Sequence, residues 1–329
     1  MGQTSFIGRD GGGIEANYMI GSQMVTQGNV YYVKPRTGSD GNNGTSPRSA
    51  FKTLVKALAS CSAGQNDTVY LLAEGSSASL TTDLLTTTLD WNLNNTHLIG
   101  VSAGNLVGQR ARISWASTAA SASDIPLLTV SGSGCLIAGI SLVLESADAN
   151  LAFGLNVTGD RCRFSRVNVS WPANAAADCA GAYAVKLDGA TDDVFEECVF
   201  GSYTIDQGTA ANQILLIDTG CSATMFRDCY FISRIEHITN SPAVRLADAG
   251  SVGFGCVWFD RCKFISTSVN AAYAQSGAFK TTAAQTDGRI VLTDCWTNAG
   301  KWDVDDADMI LNGCVGVPID DNAGEILAV

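Results

Sequence analysis

Glu197-Cys198-Val199-Phe200, Asp228-Cys229-Tyr230-Phe231 and Arg261-Cys262-Lys263-Phe264 repeat one phrase: a charged residue, a cysteine, a variable residue and a phenylalanine. Arg161-Cys162-Arg163-Phe164 reads as an earlier copy, Asp294-Cys295-Trp296-Thr297 as a later one, and Cys135-Leu136-Ile137 as a weaker one. From Cys162 onward the cysteines fall 36, 31, 33 and 33 residues apart. Upstream of each phrase sits a second short apolar segment: Leu127–Val130, Leu155–Val157, Val185–Leu187, Leu215–Ile217 and Val244–Leu246. Two strand signals that recur together about every thirty residues are the mark of a solenoid, in which each repeat buries its apolar face only against its neighbours.

Side chains alternate across a strand, so Cys and Phe of each phrase share one face and the residue between them takes the other. The middle residues are Arg163, Val199, Tyr230, Lys263 and Trp296, which points Cys and Phe inward. Leu128/Val130, Leu155/Val157, Val185/Leu187, Leu215/Ile217 and Val244/Leu246 are expected to line the same interior. Cys162, Cys198, Cys229 and Cys262 should then stack as buried thiols in consecutive coils. The residues before the cysteines would pair as Arg161/Glu197 and Asp228/Arg261, with Glu197/Asp228 a like-charge neighbour. No long segment past residue 62 has a 3.6-residue apolar period. The expected fold is all-β, a right-handed parallel β-helix over residues 67–317, with a tail over 318–329.

Residues 30–66 form a different unit. Val30–Val33 reads as a strand, Gly38–Thr45 as a polar Gly/Asn loop, and Pro47 precedes an amphipathic helix with Phe51, Leu54, Val55 and Leu58 on one face. A terminal coil exposes core and unpaired strand edges, so this helix is placed to cap it. Residues 1–29 are Gly-rich with isolated apolar anchors, an extended arm that gains little by folding alone.

Composition narrows the partners. Charged residues make up 16% of the chain and the net charge is −12, with no Lys/Arg patch to contact phosphates, so nucleic acid is not an expected partner. No apolar run is long enough for a transmembrane helix, and Met1–Asp10 lacks the pattern of a secretory signal. Eleven cysteines without a CxxC pair, beside His97 and His237 alone, fit reduced buried thiols in a reducing cytoplasm rather than zinc ligands.

The run Tyr32-Val-Lys-Pro-Arg-Thr-Gly-Ser-Asp-Gly-Asn-Asn-Gly-Thr-Ser-Pro47, followed by Ala50–Leu54, Ala57-Leu58 and Asp67–Leu72, resembles the opening of the pectate-lyase-like β-helix superfamily. The resemblance implies the fold and is compatible with many functions. Free thiols, no export signal and a Gly-rich arm resemble its bacteriophage virion branch. The expectation is a non-enzymatic virion protein assembled in the host cytoplasm, such as a capsid decoration protein held to the capsid by the arm and associated as a homotrimer. The alternatives are a tailspike-type polysaccharide depolymerase, or a module that binds a host-surface glycan without cleaving it.

Glycoside hydrolysis needs two carboxylates beside a cleft. Asp192, Asp193, Glu196, Glu197, Asp228 and Asp260 are the candidates, and solenoid corners explain them equally well. Arg161, Arg163, Arg166 and Arg261 have no accompanying lyase motif. Asp303, Asp305, Asp306 and Asp308 lack the Gly and closing Glu of an EF-hand loop. His97 reads as a strand-edge residue. Tyr203, Trp171, Trp258, Trp296 and Trp302 suggest no single sugar platform by spacing. The sequence therefore assigns no catalytic, cofactor-binding or metal residue.

Overall fold

The computed structural model describes residues 19–20, 23–24, 28–73, 82–102, 111–115, 126–144, 153–170, 182–205, 207, 213–235, 242–268, 277–281, 288–299, 301–302 and 309–316. They form a right-handed parallel β-helix whose coils run through three sheets in turn. Sheet I has seven strands, from Leu89–Trp91 to Phe279–Thr281. Sheet II has ten, from Val30–Val33 to Met309–Asn312, and sheet III nine, from Thr82–Leu85 to Val315–Gly316. Every pairing within these sheets is parallel, between strands one coil apart; among the described residues the one antiparallel pair is Met19–Ile20 with Gln23–Met24. The expected tail over 318–329 lies outside the described residues.

The interior is built from columns. Phe164, Phe195, Phe226 and Phe259 stack in sheet II with ring centroids 4.4, 4.6 and 4.9 Å apart. Phe200, Phe231 and Phe264 form a second column in sheet III, where Phe231 and Phe264 stack at 4.9 Å and Phe200 tilts against Phe231, and aliphatic pairs such as Val185/Leu187 and Leu215/Ile217 line sheet I. All are fully buried, as the alternation predicted.

The register of the first copy differs from the expectation. Phe164 pairs with Phe195 of sheet II, so Cys162 stands over Asp193, not Cys198. Two thiol columns result: Cys135 with Cys162 at the bend from sheet I to sheet II, and Cys198, Cys229, Cys262, Cys295 and Cys314 at the bend from II to III. The interval of 36 residues, against 31 and 33 afterwards, is the trace of that change of column. Every described cysteine is free.

Val30–Val33 is the first rung of sheet II. Phe51 bridges to Val33, and the short helix Leu54–Leu58 buries Leu54, Ala57 and Leu58 in the same core. Val55, expected on that face, is 53% exposed, because the single turn presents positions 54, 57 and 58 inward. Asp40 fixes the helix start: its carboxylate accepts from the Lys52 and Thr53 amides (2.8 and 3.0 Å) and from the Thr53 hydroxyl (3.0 Å). Buried Asp67 accepts from the amides of Asn29 (2.6 Å) and Ser62 (2.7 Å), tying strand, helix and first coil together.

Candidate functional site

Sheet II turns into sheet III through one left-handed residue: Arg166, Glu197, Asp228, Arg261 and Asp294 have φ between 50° and 53°. Such a bend costs little for Asp, and somewhat more for longer side chains. The following residue turns inward. In four successive coils it is a cysteine whose thiol donates to the Phe carbonyl one coil back: Cys198 to Phe164, Cys229 to Phe195, Cys262 to Phe226 and Cys295 to Phe259, at 3.3–3.5 Å. A small residue with a weak donor is what this inner corner requires. The outer side of the same bend is thereby held in columns one coil apart.

Those columns carry charge and aromatic rings. On sheet II, Glu196 contacts Arg163 and lies 3.3 Å from Arg227, which reaches Asp260 at 3.4 Å. Asp260 meets Arg261 at 2.8 Å, and Arg261 forks onto both oxygens of Asp228 at 2.9 and 2.8 Å. The pair with Asp228 raises the Arg261 pKa above its ordinary value. On sheet III, Tyr230, Lys263 and Trp296 stack outward. The Lys263 amine donates to the Tyr230 hydroxyl at 2.8 Å and sits 4.6 Å from its ring centre. Asp228, Tyr230, Arg261, Cys262, Lys263, Asp294 and Trp296 line an open cleft of about 360 Å³. Tyr203, 44% exposed, is adjacent: burial raises its hydroxyl pKa, the Tyr230 charge raises it further and Lys263 lowers it.

The sequence candidates distribute as follows. Glu196, Glu197, Asp228 and Asp260 share this face. Asp192 lies at the other bend, 3.9 Å from Arg161, so the expected Arg161/Glu197 pair is replaced by Arg161/Asp192 and Arg166/Glu197 (4.0 Å). Asp228/Arg261 forms as expected. Asp193 is inside the solenoid; burial pushes its carboxyl up to about 8 while one oxygen accepts from the Cys162 amide at 2.6 Å. His97 is no edge residue: its strand lies between two others, it accepts from the Leu136 amide at 3.1 Å, and burial pushes it down to about 4.

Trp296 and Tyr203 converge with Tyr230, correcting the expectation of scattered aromatics, whereas Trp302 packs against Phe264. Trp258 lies on the outer face of sheet II. Trp171 and Asp303, Asp305, Asp306 and Asp308 fall outside the described residues. Tyr230, Lys263 and Asp294 were legible only as positions in the repeat. Among the described residues no three His, Cys, Asp or Glu side chains are grouped to hold a metal ion.

No protein-family model and no curated protein matches the chain. Solved structures do. Pectate lyase Pel9A aligns over 83% of this chain at 13% identity with a TM-score of 0.55; this chain spans 64% of that enzyme. Pectin methylesterase PemA from Erwinia chrysanthemi aligns over 92% of both chains at 14% identity and a TM-score of 0.55. A rhamnogalacturonan lyase aligns over 83% of this chain and 69% of its own at 13% identity and 0.53. The fold is thus that of the pectate-lyase-like β-helices. The expectation of a non-enzymatic protein is overturned by these likenesses: coils of this kind serve as enzyme scaffolds, so a missing motif does not argue against catalysis.

Proposed function

We propose that this chain is a polysaccharide depolymerase of the tailspike type, with its glycan lying across the bend between sheets II and III. The observation that carries the reading is the cleft itself, where Tyr230 and Trp296 flank Lys263 beside Asp228 and Asp294. Aromatic side chains offer apolar surface to the C–H faces of a sugar, and the charged groups offer partners to its hydroxyls. Asp228 and Asp294 occupy bend positions two coils apart, about 10 Å between Cα atoms at roughly 4.8 Å per coil. Their carboxyls can approach the roughly 6.5–9.5 Å that leaves room for a sugar and a water.

Asp228, oriented by its two hydrogen bonds from Arg261, takes the proton of the attacking water. Asp294, with no side-chain hydrogen bond to a described residue, protonates the leaving glycosidic oxygen. One water is consumed per bond broken. The pectin-acting enzymes that share the fold support a polysaccharide as substrate class. Attachment to a virion through residues 1–29 and parallel association as a homotrimer complete the reading.

Incubation of purified protein with a panel of bacterial capsular polysaccharides, read by release of reducing ends, tests it. Turnover is expected on at least one, with Asp294→Asn lowering kcat by about 10²–10⁴-fold and Trp296→Ala acting mainly on KM. Unchanged turnover in Asp294→Asn would refute the assignment, and no turnover on any glycan would refute the function.

A further inference from the structure

Sheet I carries an outward column in which Asn156, Lys186, Leu216, Arg245 and Lys280 follow one another coil by coil. Lys186 is neutralised twice, by Asp188 at 2.9 Å and Asp218 at 2.8 Å. Those acids stand two residues after Lys186 and Leu216. Two residues after Arg245 and Lys280 the sequence has Ala247 and Thr282. The carboxylates are therefore withdrawn from the column where two cations become direct register partners. Neither Arg245 nor Lys280 has an ion pair or side-chain hydrogen bond to any described residue, and the buried Nε of Arg245 has no acceptor.

Five other arginines around the coils have carboxylate partners: Arg161 with Asp192, Arg163 and Arg227 with Glu196, Arg166 with Glu197, Arg261 with Asp228. Like charges opposite each other in a ladder destabilise a sheet. A chain of net charge −12 has acids to spare for relieving them. A planar guanidinium beside an ammonium is a donor set suited to an oxyanion.

We infer that Arg245 and Lys280 form a binding site for an oxyanion, the carboxylate of a uronic acid or a phosphate group, on the outer face of sheet I. The site is separate from the cleft at the II–III bend and stands whether or not that cleft cleaves a glycan.

The test is thermal shift and titration calorimetry on the full chain with inorganic phosphate and with sodium galacturonate, against sodium chloride at equal ionic strength. A saturable rise in melting temperature beyond chloride is expected. Arg245→Gln and Lys280→Gln should each weaken binding at least about tenfold, while Lys186→Gln leaves it within about twofold. In the absence of added anion both variants should melt no lower than the parent chain, since each relieves a repulsion. Binding of phosphate alone identifies a phosphate group, and of galacturonate alone a carboxylate. Should Arg245→Gln fail to fold, Arg245→Lys, which keeps the charge and loses the fork, replaces it. No saturable effect with either anion, or binding that survives both substitutions, overturns the site.

Discussion

Asp193 occupies an inward position that its neighbours in the same column fill with Cys162 and Thr224. The carboxyl replaces a thiol there. One oxygen accepts the Cys162 amide, the other has no hydrogen-bond partner, and the group is 0% exposed. Burial disfavours the charged form and drives the folded-state pKa to about 8. In the unfolded chain the value is about 3.9. Between those values the folded state keeps a proton that the unfolded state has released, so stability falls as pH rises. The contribution is complete below about pH 3.9 and lost as pH approaches 8. Asp193→Asn keeps the bond to Cys162 and removes the titration. The variant should melt close to the parent near pH 4 and measurably higher at pH 8, a difference on the order of a few kcal/mol at most. An equal difference at both pH values would show that the carboxyl does not hold its proton in the folded protein.

At the scale of elements, the N-terminal turn depends on one exposed side chain. Asp40 provides three of the hydrogen bonds at the start of the helix Leu54–Leu58, and nearby Phe51 closes over Gly44, where a Cβ would stand 2.1 Å from the ring. Asp40→Ala should cost about 1–2 kcal/mol in chemical denaturation, as loss of a helix cap does; a cost below a few tenths would mean water replaces the carboxylate. The strands themselves were legible because Cys-x-Phe and the aliphatic pairs obey a period of two and recur with the coil. The register of Cys162 was not, because Arg-Cys-Arg-Phe satisfies the same local pattern at either bend and only the pairing of Phe164 with Phe195 decides between them. The cleft was illegible for a related reason. Tyr230, Lys263 and Trp296 are 33 residues apart each, and nothing short-range marks them as neighbours until the columns are aligned. The charge on Arg245 and Lys280 was likewise visible as composition, while the missing carboxylates beside it are a property of the column.

Over the whole molecule, stability is a sum of coil interfaces, so coils should be removable in whole units. Deleting residues 198–228 joins Glu197 to Cys229 and preserves the left-handed bend followed by an inward cysteine. Phe195 then faces Phe259 in sheet II, Val169 faces Phe231 in sheet III and Val185 faces Val244 in sheet I, so every inward column continues. On the outer surface the deletion takes away Asp228 and Tyr203, and it brings Glu196 next to Asp260 without Arg227 between them. The expected product is a shorter solenoid with one cooperative melt, a reduced melting temperature and a smaller denaturant slope, since less surface is exposed on unfolding. Polysaccharide turnover should fall sharply, since the longer Glu197 takes the place of Asp228 and Tyr203 is gone, while oxyanion binding at Arg245 and Lys280 persists. Deleting only 198–212 leaves sheet I and sheet II of that coil without a sheet III strand between them and sets the bend residues out of column. That half-coil variant should lose cooperative unfolding. If both deletions behaved alike, folded or unfolded, the coil would not be the unit of stability.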